Sequence, residues 1–219
     1  MVKKLNMQRR DFLTLAAAGV TAVSLDTDFF RQAMASDGYT LKAGETAIDL
    51  GDAGNNPTNC WLYNGACPGP MLRRRRGDML NVTVTNGLPV PTTVHWHGIR
   101  NVNEMDGVPN LTQAPIEPGD NFVYQVPLRE SGTYWYHAHN MGWEQVARGL
   151  YGPLIVDADD DPAVDHDFTL MIDDWRLDQD GQIDATSFGS LHDWSHGGRL
   201  GNWLTVNGTS NPSLSAKPG

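Results

Sequence analysis

The feature that most limits the fold of this chain is an alternation with a period of two. Leu80, Val82 and Val84 alternate with Asn81, Thr83 and Thr85, and Phe122, Tyr124 and Val126 repeat the pattern. Successive side chains of a strand point to opposite faces, so each run reads as a strand with one face buried. Turn clusters separate such runs: Asn64-Gly65, Pro68-Gly69-Pro70, Gly77-Asp78, Asn86-Gly87, Pro109-Asn110 and Pro118-Gly119-Asp120. Gly 23 and Pro 13 together make 36 of 219 residues, which favours many short elements joined by turns. No helical stripe of comparable strength and no internal repeat is visible. The expectation is an all-β chain, with short strands arranged as a β-sandwich.

The length permits one large or two small domains. With 40% hydrophobic and 19% charged residues, and a mean hydropathy of -0.41, the chain has the apolar content of a packed globule. Lys plus Arg 16 against Asp plus Glu 26 give a net charge of -10, a surface that repels phosphate backbones and argues against nucleic acid as a partner.

Residues 1–35 read as an address. Lys3, Lys4, Arg9 and Arg10 precede the run Phe12 to Leu25. That run is shorter than the roughly 20 apolar residues needed to span a bilayer, so no membrane span is expected. Ala33-Met34-Ala35 suits cleavage before Ser36. Arg9-Arg10-Asp11-Phe12-Leu13 resembles the twin-arginine export signal of bacteria, which implies the twin-arginine export machinery as a partner and a periplasmic or otherwise extracytoplasmic location. Removing residues 1–35 leaves 11 basic against 23 acidic residues, a net charge of -12.

The remaining chain divides in two. Residues 36–158 hold the strand patterns, and an acidic stretch, Asp157 to Asp161, ends at Pro162 and reads as a linker. Beyond it, Phe168 to Ile172 reads as a strand, Asp173-Asp174-Trp175 as a turn, and Leu204-Thr205-Val206-Asn207-Gly208 as a strand entering a turn. Residues 159–219 are too few for a second sandwich of about 100 residues, and Lys217-Pro218-Gly219 is a turn signal that should lead into a strand. The expectation is a truncated chain.

Four of the seven histidines fall in two pairs, His95-Trp96-His97 and His137-Ala138-His139, each inside a strand-like run. Residues two apart on a strand share a face, so two such strands can aim four imidazoles at one point. Neutral imidazole suits copper, zinc, iron and nickel, with copper bound most tightly among divalent first-row ions, so a copper or zinc site is expected. The alternative is that these histidines only hydrogen-bond within the core.

Thr92-Thr93-Val94-His95-Trp96-His97-Gly98 and Gly132-Thr133-Tyr134-Trp135-Tyr136-His137-Ala138-His139 resemble the first two copper motifs of the multicopper oxidases, the family of laccases and bacterial copper-efflux oxidases. Tyr63-Asn64-Gly65, Pro68-Gly69-Pro70, Arg76-Gly77-Asp78, Met105-Asp106-Gly107-Val108-Pro109, Gly149-Leu150 and Gly152-Pro153 also fall where that family has them. The resemblance runs from about residue 40 to the end. It implies a cupredoxin-like Greek-key β-sandwich followed by the start of a second, incomplete cupredoxin domain. It further implies that His95 ligates a type 2 copper, that His97 and His137 share one type 3 copper, and that His139 binds the other. Asp106, nine residues after His97, becomes the candidate catalytic acid that delivers protons for oxygen reduction, although an Asp before Gly can be a plain turn residue.

The family completes its trinuclear cluster with a His-x-x-His-x-His and a His-Cys-His motif, and neither occurs in this sequence. The type 1 copper site, which needs the Cys of the latter, is therefore absent from this chain. Copper nitrite reductases instead place a Cys after the His of the equivalent strand, where this chain has Ala138 after His137. Neither Cys60 nor Cys67 has a histidine neighbour. With six residues between them in an exported chain, a disulfide and two free thiols both stay open.

The other features read as structural. Arg73 to Arg76 is expected to be a solvated basic edge, Asp178-Gln179-Asp180-Gly181 a turn and not a calcium loop, and His192 and His196 loop residues. His166 stands alone, and Trp96 and Trp135 are expected to pack and not to relay electrons. The function expected is that of an N-terminal multicopper oxidase fragment, inactive alone, from an enzyme that uses dioxygen and a small reducing substrate or metal ion. A non-catalytic exported cupredoxin scaffold of the cell-division type, or a simple metal-binding protein, is the alternative. The eight Met are scattered, so nothing points to a cuprous substrate.

Overall fold

In the computed structural model, which describes residues 38–51, 56–195 and 198–215, ten strands build the fold. The export-signal reading of residues 1–35 lies outside the described residues. One sheet has the order β2 (Thr58–Tyr63), β1 (Tyr39–Ile48), β4 (Met79–Asn86), β6 (Asn121–Pro127). The facing sheet has the order β3 (Leu72–Arg75), β8 (Tyr151–Asp157), β7 (Gly132–Ala138), β5 (Val94–His97). The expected alternation is present: in β4, Leu80, Val82 and Val84 are buried between the sheets while Asn81, Thr83 and Thr85 are only half-buried. In β6, Tyr124 and Val126 are buried and Val123 and Gln125 exposed. These residues meet Leu72, Val94, Trp96, Tyr136 and Leu154 of the second sheet in one core. Each such side chain contributes about 1.5–3 kcal/mol on burial.

Strand β5 lies at a sheet edge, and its inner amide is satisfied across the sandwich: the Val94 N–H donates to the Tyr124 hydroxyl at 3.0 Å. Asn86 is buried and closes the turn after β4. Its Nδ2 donates to Val90 O and Ile116 O at 2.9 and 2.8 Å, and its Oδ1 accepts from Leu88 N at 2.9 Å. The chain is thereby led directly into β5.

The basic run lies on an edge strand with Arg75 and Arg76 exposed, as expected, but Arg73 and Arg74 are half-buried and partnered. Arg73 reaches Asp157 through Nε and NH2, the closest contact being 2.7 Å, and Asp167 through NH1 at 2.7 Å. Arg76 lies 3.8 Å from Asp159, and the Arg74 guanidinium stacks 4.4 Å from the Tyr39 ring centre. The acidic stretch after β8 therefore folds back along the arginines of β3, because opposite charges at a strand end are neighbours once β3 and β8 pair in parallel.

The later segment departs from expectation around β9. Phe168 to Met171 are not a strand; β9 is Ile172–Trp175, so Asp173-Asp174-Trp175 is strand and not turn. It pairs with β10 (Trp203–Val206), which leads into a turn through Asn207 and Gly208, both at positive φ. Two aspartates are tolerated because each carboxylate finds a donor: Tyr151 Oη donates to Asp173 Oδ2 at 2.5 Å, and Gly201 N to Asp174 Oδ2. Trp175, Leu177 and Ile183 cover the outer face of β2 at Leu62 and Cys60, forming a second apolar cluster with Leu50. Asp178 Oδ1 accepts from the Asp180 and Gln182 amides at 2.9 Å, closing that loop as a turn.

Both cysteines are free thiols in this cluster. Burial, with Cys67 nearby, pushes the Cys60 thiol up to about 12, and burial pushes Cys67 up to about 11 against the opposing Tyr151 hydrogen bond. Thiolate is the reactive form, so both should alkylate at pH 8 at least about a hundredfold more slowly than free cysteine. Timed iodoacetamide labelling followed by mass spectrometry checks this, and rapid modification of the native protein would refute it.

Candidate metal centre

Strands β5 and β7 pair antiparallel with His95 opposite His137 and His97 opposite Trp135. Directly opposed residues share a face, and so do residues two apart. His95, His97 and His137 therefore stand on one face, and Trp96, Tyr136 and Ala138 point the other way into the core. Trp96 packs 5.3 Å from Tyr124 and 6.0 Å from Tyr136, as expected of a packing residue. His139 comes directly after the last residue of β7, and its amide continues the pairing by donating to Thr93 O at 3.1 Å.

The four rings form one cluster. The His95 ring centre lies 5.6, 5.5 and 5.2 Å from those of His97, His137 and His139. Among the described residues, His95, His97 and His137 offer ligand atoms that all fall within 4.8 Å of one another. His97 Nδ1 and His137 Nε2 face each other at 3.2 Å, a span that one metal with bonds of about 2.0–2.1 Å to imidazole nitrogen can bridge. His139 Nδ1 is buried with no protein partner among the described residues. His166 instead stacks on Phe168 at 5.6 Å; His192, expected in a loop, sits on the short helix Leu191–Ser195, and the loop reading of His196 lies outside the described residues.

Hydrogen bonds set which nitrogen each ring presents. His95 Nδ1 donates to the backbone carbonyl of Asp106 at 2.7 Å, and His137 Nδ1 to that of Ala138 at 2.9 Å. Both rings therefore turn Nε2, with its free lone pair, to the cluster. Burial lowers His137 to about 4, with the neighbouring histidines adding to the effect against the Ala138 carbonyl. His139 is lowered for the same first reason, with His95 next. Rings held neutral at pH 7 are ready to bind metal without first losing a proton. Trp135 lies 4.2 Å from His137 and 5.0 Å from His97 between ring centres and walls one side of the site.

Asp106 sits at the end of the 3-10 turn Asn103–Met105. Its carboxylate Oδ1 is 3.5 Å from His95 Nδ1, so the predicted acid and the predicted ligands are brought together. What fixes this loop was not read from the sequence. Gly107, at φ +79°, presses so closely on β5 that a Cβ there would fall 1.9 Å from Val94 O. A backbone atom cannot yield, so only glycine permits this approach. Gly107→Ala should cost about 2–4 kcal/mol from strain and overpacking. A fall in the urea midpoint and shifted His95 ring-nitrogen resonances are expected; an unchanged midpoint would show that the contact is not needed.

A family model described as multicopper oxidase matches residues 46–161, and the chain belongs to that family. Copper resistance protein A of Pseudomonas syringae pv. tomato is 38% identical over 162 residues, covering 73% of this chain and 24% of that protein. Multicopper oxidase MmcO of Mycobacterium tuberculosis is 38% identical over 182 residues, covering 81% and 34%. The structure of a multi-copper oxidase from Pseudomonas thermotolerans superposes with a TM-score of 0.76 at 38% identity, over 81% of this chain and 42% of that one. The fold is thus cupredoxin-like and all-β. The chain spans about a quarter to a third of the length of these two curated relatives.

Proposed function

We propose that this chain is the part of a multicopper oxidase that supplies half the ligands of a trinuclear copper cluster, in a protein that couples one-electron oxidation of a reducing substrate to reduction of dioxygen to water. The observation that carries the reading is the convergence of His95, His97, His137 and His139, with the His97 and His137 nitrogens 3.2 Å apart. A scaffold has no use for four imidazoles on one face, which favours the oxidase over a non-catalytic cupredoxin. His95 would hold the type 2 copper, His97 and His137 one type 3 copper, and His139 the other. When bound, copper supplies one-electron storage and a Lewis-acidic site for dioxygen.

The chain's own residues have distinct tasks. The Asp106 carbonyl holds His95 in one tautomer, and the Asp106 carboxylate, partly exposed beside the cluster, carries protons from solvent at its Oδ atoms. Trp135 stacks against two ligands and limits water on that side. The remaining cluster ligands and the type 1 copper site belong to other residues of a longer protein, because this sequence contains no His-Cys-His. Residues 159–219 then carry the linker and the start of a second cupredoxin domain. The Arg9-Arg10 signal supports export by the twin-arginine route to the periplasm.

Titrating the 219-residue chain with Cu(II) should give a nitrogen-ligated EPR spectrum, weakened about tenfold or more in affinity by His137→Ala. It should show no oxygen consumption with phenolic or metal-ion reductants. Four-electron oxygen reduction by this chain alone, or copper binding indifferent to loss of His95, His97 and His137, would sink the reading. In the longer oxidase, Asp106→Asn should slow oxygen turnover by about 10²-fold or more with copper content unchanged.

A further inference from the structure

His139 is the one candidate ligand that lies past the end of its strand, so the β5–β7 ladder does not by itself hold it. Beyond it the chain makes a tight reversal. Met141 takes a left-handed conformation, φ 46° and ψ 51°, and opens α1 (Gly142–Gln145), a single turn of helix. The last residue of α1, Gln145, is fully buried. Its amide reaches back to the segment that precedes His95: Nε2 donates to Pro91 O at 2.9 Å, and Oε1 accepts from Thr92 Oγ1 at 2.7 Å. Asn140 Nδ2 adds a second bond to Pro91 O at 2.6 Å. Thr92 is itself fully buried and pinned on its other side, exchanging backbone hydrogen bonds with Ile116 at 3.1 and 2.8 Å.

A buried primary amide with both its donor and its acceptor engaged is costly to bury and costly to break. The amide joins the chain just before His95 to the chain just after His139, across the single bond by which His139 N–H meets Thr93 O. We propose that Gln145 is a positioning residue: with Thr92 and Asn140 it clamps the reversal after β7 so that the His139 ring stands in the cluster with His95. This rests on the reading of His139 as a metal ligand.

The test compares Gln145→Leu, Thr92→Val and Thr92→Ser in the full chain, with His139→Ala as a reference. Thr92→Val removes only the hydroxyl donor at nearly constant volume, so it remains informative where Gln145→Leu fails to fold. Without metal, hydrogen exchange at the His139 amide should accelerate on the order of tenfold in Gln145→Leu and Thr92→Val. It should stay near wild type in Thr92→Ser, which restores the donor. The Leu128 amide, bonded to Asp78 O at 3.0 Å, lies outside the reversal after β7, serves as a reference for openings that leave that reversal intact, and should accelerate less than His139. With Cu(II) as probe, affinity should fall about tenfold in both disruptive variants, and Thr92→Ser should recover it.

Unchanged His139 exchange in both disruptive variants overturns the clamp whatever copper does. Equal acceleration at His139 and Leu128 overturns it too, since Gln145 then supports only the fold. If the exchange effect is present but His139→Ala binds Cu(II) like the wild type, the ligand reading of His139 fails and the metal-serving role falls with it. That outcome is distinguishable from failure of the clamp.

Discussion

Everything at the candidate centre depends on one register: His95 opposite His137 in the pairing of β5 with β7. A slip of a single residue would turn the histidines of one strand into the core and bring Trp96 or Tyr136 out to the metal face. The register is held from the inner side by the burial of Trp96 and Tyr136, large rings that fit only between the sheets. Core packing and metal-site geometry are thus the two faces of one constraint. The alternation His-Trp-His against Tyr-His-Ala-His satisfies both at once.

The loops are then fastened to that frame by close backbone approaches and buried polar bonds. Gly107 lets the Asp106 loop lie against Val94, which delivers a carbonyl to His95. Tyr124 crosses the sandwich to satisfy Val94, and Asn86 governs the entry to β5. Gly107, Tyr124 and Asn86 act on the centre only through the backbone they hold. Each removes a freedom that would let an imidazole drift by the ångström or so that matters for shared ligation.

Much of this was legible from residue order. The strands β4 and β6 follow from Leu80, Val82, Val84 and from Tyr124, Val126, because a strand with one buried face must alternate. The four histidines could be named as one group because a spacing of two has only one meaning on a strand. Other parts were illegible for equally physical reasons. Asp173 and Asp174 read as a turn, since their partners, Tyr151 and the Gly201 amide, lie on elements distant in sequence. Arg73 read as solvated because its acids, Asp157 and Asp167, come beside it only after β3 and β8 align. Cys60 and Cys67 could have gone either way, and their burial under Trp175 and Leu177 is a property of the assembled cluster.

Sequence alone determined the class of fold and the chemistry of the donors, because periodicity and side-chain type are local properties that survive in any arrangement of the chain. Which nitrogen each ring presents, which glycine admits the acid, and what restrains His139 beyond the end of its strand were decided by tertiary structure. These depend on how His95 meets Asp106, Val94 meets Gly107 and Thr92 meets Gln145, contacts that exist only once the strands and loops have closed on each other.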